Sequence, residues 1–309
     1  MPSVSTTPSP NPVCPVSQRS STTDTHTVRQ LALQYPQSSL NTGPLLIYLT
    51  ARDTTRGADA VTALTTTDPA LREARALHTE GGLTTIKFHP LDISSPPSIT
   101  AFAAFLQTTH PSGIDFLINN AAIAMEGFNP TVVRTTLACN YHGTLQATRA
   151  LLPLLKPAPP NDSRIVNVAS ESGLLNKYAA PIRERFLHAS SVADITTLMD
   201  DFTAAVERGM EKEEGWPSAA YAVSKAGTVG LTVQVAGELK KKEGGGGEGR
   251  EGVLVNACCP GWVVTDMTKG KGYKTPDQGA QTPVMLAIGD VGGKSGGFWK
   301  DEREISWVG

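Results

Sequence analysis

Tyr221-Ala222-Val223-Ser224-Lys225 sets a phenol and an ammonium four positions apart in a segment with helical patterning. Side chains at that spacing share one face of a helix. A free phenol has a pKa of about 10 and relays protons poorly at neutral pH. A nearby ammonium stabilises phenolate and lowers that value, giving a tunable acid/base. Alone, the pair has little specificity, because Tyr and Lys are common on exposed helix faces. Ser170 follows the apolar run Arg164-Ile165-Val166-Asn167-Val168, at the end of a strand where open α/β sheets bind ligands. Asn119-Asn120-Ala121-Ala122 closes another such strand, and Pro260-Gly261-Trp262-Val263-Val264-Thr265 follows a third. Asn140 lies mid-helix in Cys139-Asn140-Tyr141-His142-Gly143, where a polar side chain needs a reason.

The elements that must hold these groups alternate along the chain. Strands are expected at Leu45-Leu46-Ile47-Tyr48-Leu49, Thr84-Thr85-Ile86-Lys87-Phe88, Phe116-Leu117-Ile118-Asn119-Asn120, Arg164-Ile165-Val166-Asn167-Val168 and Gly252-Val253-Leu254-Val255-Asn256-Ala257. Their compact apolar runs suit a sheet buried on both faces. Helices are expected over 56–79, 96–109, 130–155, 181–213 and about 218–242. Strand–helix alternation indicates a Rossmann-like, doubly wound parallel α/β sheet. Residues 1–26 are rich in Ser, Thr and Pro and poor in large apolar side chains, a composition expected to be a disordered tail. Order is expected to start near Thr27, with a short helix bearing Val28, Leu31, Ala32 and Leu33.

Composition excludes several classes. The 309 residues carry 27 Lys plus Arg against 29 Asp plus Glu, so no basic excess points to nucleic acid or an anionic membrane. No run approaches the roughly 20 apolar residues of a membrane span, and no secretory signal pattern opens the chain. None of Cys14, Cys139, Cys258 and Cys259 forms a CxxC pair, so no zinc or other metal site is expected. Reduced thiols in the cytoplasm are the default. Asn161-Asp162-Ser163 matches a glycosylation sequon but needs secretion to matter. The glycine run from Gly244 to Gly249 follows a helix and precedes a strand, the reverse of the order a phosphate loop requires. Gly293-Lys294-Ser295 lacks the earlier glycine of a P-loop, since Gly289 is out of register.

The ordered set of Asn120, Asn140, Ser170, Tyr221 and Lys225 resembles the short-chain dehydrogenase/reductase family. Thr50-Ala51-Arg52-Asp53-Thr54-Thr55-Arg56-Gly57, Glu214-Gly215-Trp216-Pro217-Ser218 and Asn256-Ala257-Cys258-Cys259-Pro260-Gly261-Trp262 are similar to its carbonyl-reductase branch. The resemblance covers residues 27–309 as one domain. It implies NADPH-dependent reduction of aldehydes, ketones or quinones. Tyr221 would be the general acid, Lys225 would lower its pKa and bind the nicotinamide ribose, and Ser170 would orient the carbonyl. Asn140 would hold a water linking Lys225 to solvent. Pro260, Gly261, Val263, Val264 and Thr265 would meet the nicotinamide, and Asp92, Ile93 and Asn120 the adenosine side. Trp262 and Met267 are candidates for a substrate wall, with simple packing as the other reading of Trp262. Arg52, assisted by Arg56, would take a 2′-phosphate and favour NADPH over NADH, unless it is an ordinary surface Arg.

Two departures from the family pattern stand out. Ser170 and Tyr221 are 51 positions apart, further than in most members. The intervening insertion, about 172–217, resembles the extra helical segment that covers the oligomerisation surface in the carbonyl-reductase branch, implying a monomer. The second departure is the missing TGxxxGxG entry: the first glycine of the chain is Gly43. The expectation is a sheet lacking its first central strand and a weak pyrophosphate site, with Asp24 adding an unfavourable charge. A catalytically impaired relative that cannot hold the cofactor is the alternative this departure supports.

Overall fold

The structure is a computed structural model that describes residues 12–18, 22–156, 163–244 and 252–309. The sequon Asn161-Asp162 and the glycine run from Gly245 onward lie outside the described residues, as do residues 1–11 of the expected tail and 19–21.

Among the described residues, eight strands form one sheet in the order β3-β2-β1-β4-β5-β6-β7-β8. They are β1 (Val13–Gln18), β2 (Leu45–Ala51), β3 (Thr84–Pro90), β4 (Phe116–Asn119), β5 (Ser163–Val168), β6 (Val253–Cys259), β7 (Phe298–Lys300) and β8 (Arg303–Ile305). All neighbours pair in parallel except β7 with β8. The helices are α1 (Thr22–Gln34), α2 (Thr54–Thr66), α3 (Pro69–Glu73), α4 (Pro96–Thr109), α5 (Pro130–Leu137), α6 (Thr144–Leu151), α7 (Ala180–Leu187), α8 (Val192–Arg208), α9 (Ala220–Gly244) and α10 (Pro276–Ile288). A π-helical turn, Ala138–Gly143, joins α5 to α6.

Successive strand residues feed opposite sides of the sheet. Leu117, Ile165, Val253 and Val255 pack into one apolar cluster with Phe102, Val133, Phe202 and Leu231. Phe116, Ile118, Val166 and Leu254 pack into a second with Val28, Leu31, Leu64 and Val284. That period of two with apolar residues on both faces makes the sheet doubly wound, as expected.

The expected absence of the first central strand is wrong. Strand β1 lies between β2 and β4, with Val16 opposite both Leu49 and Ile118. The tail expected through residue 26 is likewise wrong from residue 13 to 18 and from residue 22 onward. Composition hid the strand: Val13, Cys14 and Val16 are fully buried, but they sit in Ser/Thr/Pro-rich sequence, and Pro15 brings no N–H to the ladder. The Asp115 carboxylate accepts the Val13 N–H at 2.8 Å and fixes the strand's entry. Helix α1 begins at Thr22 rather than near Thr27.

Two further helix readings change. The span 56–79 breaks into α2 and α3, because Asp68 caps a new helix by accepting the Leu71 N–H at 3.0 Å. The span 130–155 contains the π turn and ends in a 3-10 turn at Leu152–Leu154. Strands β7 and β8 have three residues each, too short for a periodic signal. The expected helix over 181–213 divides into α7 and α8; α7 packs on α8 and α8 on α9, with Phe186, Phe202 and Trp216 in the same apolar cluster.

Candidate active site

Strand order reverses between β1 and β4, since β2 and β3 lie to one side and β5 onward to the other. A crevice at such a switch point is where open α/β sheets hold ligands. Two cavities open there. One, of about 550 Å³, is lined by Asn120, Ser170, Tyr221, Lys225, Gly261 and Thr265 among others. The other, of about 480 Å³, is lined by Arg52, Asp92, Ile93, Ala121, Arg134 and Cys139 among others. Asn120 and Ala121, adjacent at the end of β4, line one cavity each.

The turn after β5 carries Ser170, and the first turns of α9 carry Tyr221 and Lys225. Ser170 and the Tyr221 phenol line the same cavity, and the Ser170 side chain acts to hold the phenol's pKa down. Ser170 also accepts the Ser172 N–H at 3.2 Å, which holds its side chain over the turn. Lys225 is 3% exposed, and its Nζ donates to the Val168 carbonyl at 2.6 Å. Nζ lies 5.6 Å from the centre of the Tyr221 ring. These three expected residues do meet in one cavity, despite their separation in sequence.

The expected lowering of the Tyr221 pKa is not what this geometry produces. Burial pushes the phenol up to about 12, and the Ser170 side chain only partly offsets that. The ammonium of Lys225 is spent on a backbone carbonyl and is itself held down to about 8 by burial. Desolvation therefore sets the direction of both shifts.

Asn140 sits in the π turn and is 2% exposed. Its Oδ1 accepts the Ile123 N–H at 2.7 Å, and its Nδ2 donates to the Ile123 carbonyl at 2.8 Å and the Ser224 hydroxyl at 3.0 Å. The side chain thus locks the loop after β4 to the helix residue preceding Lys225. It does not bond Lys225. Beside it, a buried polar row links Thr148, Asn119, Asn167 and Thr232 across β4, β5 and α9 at 2.9–3.1 Å.

Of the expected nicotinamide-side residues, Pro260, Gly261, Val263 and Thr265 line the larger cavity. Val264 does not. It is 39% exposed, and its N–H bonds the Lys274 carbonyl at 3.0 Å. Trp262 and Met267 line the same cavity and stay exposed at its rim, where Trp262 meets Tyr273 edge-on. Arg52 stands exposed at the end of β2, beside Asp92 and Ile93. Arg56 lies outside that lining; its Nε is 3.7 Å from Asp53.

Sequence reasoning missed three supporting residues. Ser17, at the end of β1, accepts the Asn120 N–H at 3.1 Å and donates to the Ile118 carbonyl at 3.3 Å, joining the two strand ends. Gly173 lets the Ser170 turn rest on α9, because a Cβ there would lie 2.6 Å from the Lys225 carbonyl carbon. Gly143 lets the π turn touch the Ile93 carbonyl. Only a position in the Ser/Thr pattern hinted at Ser17, and nothing local marked the glycines.

The two cavities suit the two ends of a dinucleotide: polar groups converge at one, and an arginine stands at the other. In sequence, the segment from Gln18 to Thr25 that follows β1 contains no glycine to allow a close backbone approach to a pyrophosphate. Among the described residues no cluster of His, Cys, Asp and Glu could hold a metal ion, and no helix is long and apolar enough to cross a membrane.

A doubly wound sheet with Ser, Tyr and Lys at its switch point defines a dehydrogenase class, and comparison with known proteins agrees. The family model for short chain dehydrogenases matches residues 49–182. Carbonyl reductase [NADPH] 1 of Sus scrofa is 36% identical over 270 residues, which cover 84% of this chain and 85% of that one. The chain belongs to the short-chain dehydrogenase/reductase family, in its carbonyl-reductase branch. The fold is similar to salutaridine reductase from Papaver somniferum, with a TM-score of 0.76 at 23% identity, covering 94% of this chain and 99% of that one. It is also similar to the NADPH-bound carbonyl reductase from chicken fatty liver, with a TM-score of 0.62 at 21% identity and coverages of 96% and 99%.

Proposed function

We propose that this chain reduces aldehydes, ketones or quinones to alcohols with NADPH. The observation that carries the reading is the convergence of Ser170, Tyr221 and Lys225 on one cavity. A substrate carbonyl oxygen entering that cavity can accept from both hydroxyls at once. NADPH, when bound, supplies the hydride. Tyr221 then gives its proton to the oxygen. An alkoxide is a stronger base than a phenolate, so the transfer is favourable even from a phenol raised to about 12. Lys225 stabilises the phenolate left behind. Its low pKa, about 8, lets it pass a proton onward near neutrality. Thr265 and the Gly261 backbone would hold the nicotinamide, and Arg52 the 2′-phosphate. The indole of Trp262 and the thioether of Met267 offer an apolar wall for the rest of the substrate.

The insertion favours a monomer, since α8 already packs along α9. Among the described residues Cys14, Cys139, Cys258 and Cys259 form no disulfide, which suits a reducing cytoplasm.

A second reading keeps the site and removes the activity. It is favoured by the glycine-free stretch from Gln18 to Thr25, where the pyrophosphate would need backbone amides. Titrating the purified protein into NADPH and following nicotinamide fluorescence separates the two. Saturable enhancement at micromolar protein supports the reductase. No change up to millimolar protein supports the impaired relative. Changing Gln18, Thr22 and Asp24 together to Gly should then tighten binding severalfold, because the Asp24 charge and three Cβ atoms are removed.

A further inference from the structure

The C-terminal hairpin of β7 and β8 reaches back to the Ser170 turn. From β7, Lys300 Nζ pairs with Glu171 Oε1 at 2.8 Å. Two residues past β8, Trp307 donates its indole N–H to the Gly173 carbonyl at 3.1 Å. Its own backbone carbonyl accepts the Leu175 N–H at 3.0 Å. All three contacts land within 171–175. From the other side the turn rests on α9, where a Cβ on Gly173 would lie 2.5 Å from the Ala226 nitrogen. The indole also meets Phe186 edge-on at 5.7 Å, so its ring is fixed by packing.

Ser170 has no such anchors of its own. Its Oγ accepts the Ser172 N–H, within the same turn, and the residue lines the cavity it shares with Tyr221. Where the hydroxyl sits therefore depends on where the turn sits. We propose that Lys300 and Trp307 are positioning residues for carbonyl reduction, pressing the 171–175 turn onto α9 so that the Ser170 hydroxyl meets the Tyr221 phenol. The catalytic part of this rests on the reductase reading; the mechanical part does not. A half-exposed ion pair contributes little to global stability, so its loss acts locally. A misplacement of about 1 Å at a reacting group can cost on the order of 100-fold in rate.

Three variants test it in the full chain. Trp307→Phe keeps the ring and removes the donor. Lys300→Met removes the charge, and Lys300→Arg restores it. Lys294→Met, which breaks the Lys294–Glu304 pair of the same hairpin, is the control. Two readouts are taken: amide hydrogen exchange of the peptide covering 170–175, and kcat against KM. Trp307→Phe and Lys300→Met should speed exchange in that peptide and lower kcat about tenfold with KM unchanged. Lys300→Arg should recover both, and Lys294→Met should alter neither. On a Ser170→Ala background the two substitutions should cost nothing further. Unchanged exchange at 170–175, or equal losses of kcat with and without Ser170, would overturn the proposal. A protein with no turnover at all removes the reductase reading, and the exchange result then decides the clamp by itself.

Discussion

Lys225 donates its buried ammonium to the Val168 carbonyl at 2.6 Å, tying α9 to the end of β5 two residues before Ser170. The bond fixes the catalytic helix against the sheet, but the charge is held at a cost. Burial takes the pKa from 10.5 to about 8, which corresponds to about 3 kcal/mol. Between those values the unfolded chain binds more protons than the folded one, so this group makes stability rise with pH across that window. Urea unfolding of the native chain and of Lys225→Met from pH 7 to 10.5 should show the two curves diverging. The native chain gains about 3 kcal/mol relative to the variant over that range. Parallel curves would mean that Lys225 is not desolvated as described.

Arg52 sets the second prediction. It stands exposed at the end of β2, in the cavity lined by Asp92 and Ile93. A guanidinium there can grip a 2′-phosphate in a bidentate contact, and a carboxylate would accept a ribose hydroxyl instead. Arg52→Asp should weaken NADPH by about tenfold or more while leaving NADH unchanged or tighter, measured by fluorescence titration of each. Equal affinities for both cofactors in the unaltered chain would remove the specificity role from this residue.

Gly143 is the third. A Cβ at this position would overlap the Ile93 carbonyl, which is backbone and cannot swing away. Gly143→Ala should destabilise by about 1–3 kcal/mol in urea unfolding and push the loop after β3 outward at Ile93. Dinucleotide affinity should fall with it, because Ile93 lines the adenosine-side cavity. A variant of native stability and affinity would show that the π turn can shift freely.

The sequence disclosed most of the chemistry and less of its support. Tyr221 and Lys225 were legible because helical spacing is a local property, and Ser170 because it follows an apolar run. Their shared cavity follows from strand order, which alternation already implied. Strand β1 was hidden because Val13, Cys14 and Val16 are few apolar residues among Ser, Thr and Pro, and their burial depends on β2 and β4. The raised Tyr221 pKa could not be read from an i, i+4 pair, because spacing carries no information about desolvation. Gly143, Gly173 and Trp307 matter only through residues 50 to 134 positions away, and no window of sequence joins them. Val264 fails as a lining residue because its N–H pairs outward with Lys274, a choice made by the loop's own turn.

The most direct test is carbonyl reduction by the native chain and by Tyr221→Phe, with NADPH consumption and alcohol product followed together. Among the described residues Tyr221 carries the only phenol lining the cavity with Ser170 and Lys225, so on the proposed reading its loss removes the proton donor and leaves the dinucleotide contacts in place. The native chain should consume NADPH and form alcohol one for one. Tyr221→Phe should bind NADPH with unchanged affinity and turn over at least about 100-fold more slowly. Native-like turnover by Tyr221→Phe, or a native chain that binds NADPH and reduces no aldehyde, ketone or quinone, would contradict the assignment of this site.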